Sequence, residues 1–92
     1  MKISFYATFR DIAGQKTVEI DIPENASIRQ VVDAIVTRFP LMQDKLLQKN
    51  GNLWGYVHVF VNGRDAPFLD DQLETITKPT DTISVFPAVG GG

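Results

Sequence analysis

The chain has 92 residues, 43% hydrophobic and 22% charged, with a formal net charge of -2, which suits one domain around a single core and is too short for two. Nine Lys and Arg residues, scattered along the sequence, argue against nucleic acid and leave proteins with basic surfaces as the expected partners. The lack of cysteine excludes disulfides, thiolate nucleophiles and sulfur-ligated metals and fits a reducing cytoplasm, while no apolar run approaches the roughly 20 residues of a membrane helix.

Met1-Lys2 leads straight into an alternating pattern rather than a secretory signal. Over Lys2 to Phe9, Ile3, Phe5, Ala7 and Phe9 share one face, and Lys2, Ser4, Tyr6 and Thr8 the other, as in a half-buried strand. Thr17 to Ile22 alternates likewise, so Arg10 to Lys16, with Gly14, reads as the long turn of an antiparallel hairpin. No helix pattern follows Gly14, which excludes a phosphate cradle there.

Ser27 followed by Gln30 is a capping-box signature, and Ile28, Val31, Val32, Ile35 and Phe39 fall at helical spacing before Pro40. Leu41 to Lys49 suits a second short helix ending at Asn50-Gly51-Asn52. Tyr56 to Val61 alternates as a strand, Asn62-Gly63 is a hairpin turn signal, and Ile83 to Phe86 is a final strand. Between them a short strand near Ala66 to Leu69 fits, and the acidic stretch Asp70, Asp71, Gln72 and Glu74 reads as a solvated turn or helix start rather than a metal site. This order of strands around one amphipathic helix predicts an α+β class, a β-grasp roll with a mixed sheet packed on one main helix and the last strand central beside the first.

Chemistry concentrates at the C-terminus. Gly90, Gly91 and Gly92 have no side chains to obstruct a narrow slot, and Ala88 to Gly92 reaches roughly 16–18 Å at full extension. Gly92 then carries a carboxylate able to react once activated, although terminal glycines also arise as frayed ends or expression scars. Elsewhere, Ser4, Ser27 and Ser84 lack a nucleophile-elbow context, and His58, between Val57 and Val59, reads as a surface or interface residue. Alternation sends Tyr6, Tyr56, His58, Phe60, Ser84 and Phe86 away from the helix. Tyr6, Phe60 and Phe86 thereby become a candidate aromatic docking patch beside the root of the tail.

Three segments carry a resemblance: Phe5-Tyr6-Ala7-Thr8-Phe9-Arg10-Asp11-Ile12-Ala13-Gly14, Val59-Phe60-Val61-Asn62-Gly63-Arg64-Asp65, and Ile83-Ser84-Val85-Phe86-Pro87-Ala88-Val89-Gly90-Gly91-Gly92. They resemble the MoaD/ThiS ubiquitin-like sulfur-carrier family, and within it the small subunit of molybdopterin synthase in its longer archaeal form. The resemblance implies a carrier that is not itself catalytic, with a β-grasp domain over 1–87 and a glycine tail over 88–92. It implies that an E1-like adenylating enzyme activates Gly92 with ATP, the carrier binding no cofactor itself. Conversion to a thiocarboxylate and sulfur donation in the large synthase subunit would follow, with Gly90 and Gly91 threading and Tyr6, Phe60 and Phe86 docking. Ala88 departs from the family's commoner second proline. Three alternatives stay open: a modifier joined to lysines through Gly92, sulfur delivery to tRNA or thiazole synthesis, and a binding module whose tail is inert.

Overall fold

Alternation in the first residues does produce a strand, β1 over Lys2–Phe5, but one that stops four residues early in this computed structural model, which describes residues 1–65 and 72–87. After Tyr6 the chain turns sharply at Ala7 (φ 52°, ψ -126°), the Phe9 N–H donates to the Tyr6 carbonyl at 3.2 Å, and Thr8–Ala13 forms helix α1. The expected strand from Thr8 to Phe9 and loop from Arg10 are therefore corrected to a helix. Phe5 and Phe9 lie four residues apart, a spacing that keeps one face in a strand and in a helix alike. Phe9 is accordingly buried as expected, but from α1, whereas Ala7, expected inside, is exposed. Gly14 ends α1 in the left-handed region (φ 80°), its N–H donating to the Arg10 carbonyl at 2.9 Å.

Strand β2, Thr17–Glu19, pairs antiparallel with β1 through Ile3 and Val18. It is shorter than its alternating run because the ladder ends where Ile20 N–H reaches the Met1 carbonyl. Helix α2, Ile28–Arg38, begins at the predicted cap, with Ser27 Oγ accepting the Gln30 N–H at 3.2 Å and Gln30 Oε1 accepting the Ser27 N–H at 2.8 Å. Its buried stripe is Ile28, Val31, Val32 and Ile35, and Phe39 meets the Phe5 ring edge-on at 5.7 Å. Six β-branched residues, Ile28, Val31, Val32, Ile35, Val36 and Thr37, lower its intrinsic propensity, so burial against the sheet supplies most of its stability. A 3-10 turn over Pro40–Met42 and helix α3, Gln43–Leu46, come next. Arg29 is not a free surface residue: it donates to Glu74 Oε1 at 2.7 Å and to the Gly51 carbonyl at 3.1 Å, tying the segment before β3 to α2.

Strands β3, His58–Val61, and β4, Arg64–Asp65, flank Asn62-Gly63, both at positive φ (52° and 85°), as a two-residue type I′ hairpin requires. A 3-10 turn over Gln72–Glu74 precedes β5, Thr82–Phe86. The expected strand near Ala66 to Leu69, with Asp70 and Asp71, lies outside the described residues. Strand order is β2-β1-β5-β3-β4, with β5 parallel to β1 and antiparallel to β3. Ile3, Phe5, Val59, Val61, Ile83 and Val85 bury one sheet face against the stripe of α2. This is the β-grasp fold, with its last strand in the centre of the sheet.

Candidate functional site

The face of the sheet opposite α2 collects the outward residues of three strands. On β3 and β5 the register sets His58 opposite Phe86 and Phe60 opposite Ser84, while Val59 and Val85 turn into the core. Tyr6 lies one residue past β1, yet its N–H still donates to the Val85 carbonyl at 3.2 Å, which keeps it beside Phe86. The Tyr6 and Phe86 rings stack at 4.1 Å with 8° between planes, and Phe60 meets Phe86 edge-on at 5.3 Å. Each such pair contributes about 0.5–1.5 kcal/mol beyond burial of its area, so the three rings hold one another in place before any partner arrives. The structure thus brings together all three aromatic residues singled out from the sequence.

Two charged neighbours of the rings escape the sequence patterns. Lys16 places its Nζ 5.3 Å above the Tyr6 ring, and Asp65 on β4 accepts a hydrogen bond from His58 Nδ1 at 2.7 Å. Neither contact has a local sequence signal, because each joins residues brought together by strand pairing. His58, Phe60, Gly63, Ser84 and Phe86 line a shallow apolar groove of about 360 Å³. Ser84 shares that groove with His58, but no hydrogen bond joins its hydroxyl to the imidazole among the described residues.

Tyr56 also points outward as expected and is 51% exposed, but it belongs to another group. It stacks on Trp54 at 5.6 Å, whose Nε1 donates to the Asp44 carbonyl at 2.9 Å. With Thr8, Phe9, Asp44, Lys45 and Pro87 it lines a second cleft. Pro87, which directly follows β5, is the last residue described. Gly90, Gly91 and Gly92, the candidate reactive and threading positions, lie outside the described residues. None of the described helices is long and apolar enough to cross a membrane.

Comparison with known proteins agrees with this fold. The ThiS family profile matches residues 3–92. Small archaeal modifier protein 3 of Haloferax volcanii is 30% identical over 92 residues, spanning 100% of this chain and 98% of that protein. The crystal structure of SAMP1 from the same organism superposes with a TM-score of 0.87 at 28% identity, covering 100% of this chain and 98% of that one. A protein of Pyrococcus furiosus described as "Putative molybdopterin converting factor, subunit 1" gives a TM-score of 0.75 at 29% identity, covering 96% of this chain and 95% of that one. A further similar structure is the Amycolatopsis orientalis BexX/CysO complex, with a TM-score of 0.81 at 28% identity over 99% and 98% of the two chains; similar chains therefore include one solved with a partner protein. With its central last strand, its helix packed on a mixed sheet and a family match across nearly its whole length, the chain belongs to the ThiS family of ubiquitin-like sulfur carriers.

Proposed function

We propose that this protein carries sulfur on Gly92 for molybdopterin synthesis, docking on its partners through the face made by Tyr6, Phe60 and Phe86. The observation that carries this reading is the packed aromatic row on the outer face of β5, the strand that runs directly into Pro87 and the glycine-ended sequence. A carboxylate is a poor acyl donor until one oxygen becomes part of a leaving group. In the proposed reaction a Gly92 oxygen attacks the α-phosphate of ATP bound by an E1-like adenylating enzyme, and pyrophosphate departs. A sulfide nucleophile then attacks the glycyl carbon, AMP leaves, and the thiocarboxylate remains to give its sulfur to a pterin precursor in the large synthase subunit. Gly90 and Gly91 let the chain enter that enzyme's slot, since a side chain at either position would widen it. The Pyrococcus relative supports the molybdopterin assignment.

Pyrophosphate exchange with the adenylating enzyme tests the proposal. Appending one alanine after Gly92 displaces the carboxylate and is expected to abolish exchange while the thermal melt stays unchanged. Undiminished exchange by the extended chain refutes the role of Gly92. A second reading, attachment to lysines of other proteins, draws on the similarity to small archaeal modifier proteins. Both readings share the adenylate. Intact-mass analysis of chain isolated from its own cells separates them, because an oxygen-to-sulfur replacement at the terminus marks the carrier and lysine-linked adducts mark the modifier.

A further inference from the structure

The outer face of the sheet carries an unbroken row of contacts whose two ends differ in charge. Lys16 Nζ sits 5.3 Å over Tyr6, Tyr6 stacks on Phe86 at 4.1 Å, Phe86 meets Phe60 at 5.3 Å, and Phe60 lies 6.0 Å from His58. Asp65 closes the row at 2.7 Å from His58 Nδ1. Lys16 is exposed and makes no ion pair among the described residues. At the other end a carboxylate only accepts hydrogen bonds, so Nδ1 is the donor of that pair. The remaining ring nitrogen, Nε2, has no partner among the described residues and in the neutral imidazole presents a lone pair.

We infer that this row is a polarised docking site, made for a partner surface that sets a carboxylate against Lys16, an apolar ridge against the rings and an arginine against His58. The inference rests on the reading of this face as the site where the adenylating enzyme docks. Arginine fits the His58 end because its planar guanidinium stacks on an aromatic face while donating to Nε2, and the charge of Asp65 stands directly behind the imidazole. The groove bounded by Phe60, Ser84 and Phe86 has room for such a side chain. Polarity matters because the rings alone are nearly alike from end to end. A carrier docked the wrong way round would direct Pro87 and the glycine-ended sequence away from the active site. Opposite charges at the two ends penalise that orientation, since each would then face its own sign.

Calorimetry of the full chain with the E1-like adenylating enzyme of its own organism, at low and high salt, tests this on Lys16→Glu, His58→Gln and Phe86→Ala, with a thermal melt of each. Lys16→Glu is expected to weaken binding about tenfold at low salt, with the loss shrinking at high salt. His58→Gln retains an amide donor for Asp65 but removes the aromatic ring on which the guanidinium stacks together with the ring lone pair at Nε2, and is expected to weaken binding roughly fivefold. Both variants binding within about twofold of the parent, while Phe86→Ala binds at least tenfold more weakly, overturns the polarised site and leaves the docking face standing. Full binding by all three overturns both readings. Because Lys16 is exposed, its reversal stays interpretable even if His58→Gln loosens the fold.

Discussion

Ala7 holds a backbone conformation, φ 52° with ψ -126°, that suits glycine and strains a residue with a Cβ. The turn it makes closes the Tyr6-to-Phe9 hydrogen bond and starts α1, so the strain is tied to where Tyr6 leaves the sheet to stack on Phe86. Ala7→Gly is expected to stabilise the fold by about 1 kcal/mol, the relieved strain exceeding the added entropy of the unfolded chain. A thermal melt should show a midpoint higher by roughly 4–8 °C for a domain of this size. A lower midpoint would show that Ala7 is relaxed as it stands. Asn62, also at positive φ, is secured differently: its side chain accepts the Thr82 N–H and donates to Asp81 Oδ1, both at 2.9 Å, which anchors the β3–β4 turn to the start of β5.

The helix α2 separates local from tertiary stabilisation. Ser27→Ala removes a reciprocal cap and is expected to cost about 1 kcal/mol, whereas Ile35→Asp puts an unpaired charge where Ile35 is fully buried and costs several kcal/mol, enough to unfold a domain of ordinary stability. Circular dichroism on both variants ranks them, and an Ile35→Asp protein as stable as the parent would contradict the packing of α2 on the sheet. The sequence announces both residues through the cap motif and the helical spacing. It announces α1 poorly, because Phe5-to-Phe9 spacing satisfies a strand and a helix together, and the choice depends on where the neighbouring strand ends. The β1 ladder stops when Tyr6 N–H takes the Val85 carbonyl, one residue short of the end of β5.

Across the whole molecule, β5 serves folding with one face and recognition with the other. Ile83 and Val85 are fully buried, while Ser84 and Phe86 are only partly covered and face outward. Phe86→Ala and Phe60→Ala are expected to weaken partner binding by roughly 1–3 kcal/mol each and to cost less in stability than Val85→Ala, which opens a cavity in the core. Binding calorimetry and melts on the same three proteins resolve the two effects; a Phe86→Ala protein that melts below Val85→Ala yet binds normally would place Phe86 in the folding core. Because β5 is central, hydrogen-bonded on both sides to β1 and β3, the root of the C-terminal sequence is held by the most firmly paired strand of the sheet.

The amino-acid sequence by itself determined the buried stripe and cap of α2, the Asn62-Gly63 hairpin and the alternation that turns Phe60 and Phe86 outward, because each depends on residues within a few positions of one another. The glycine-ended sequence that carries the proposed chemistry was legible for the same reason. Tertiary structure alone decided that Tyr6 stacks on Phe86, that Lys16 covers one end of the row and that Asp65 holds His58 at the other. It also decided that Arg29 bridges Glu74 and Gly51. The contacts of the ring row are set by strand pairing and those of Arg29 by the packing of α2 against the segments before β3 and β5, and a ladder joining residues 80 positions apart leaves no periodic trace in either strand.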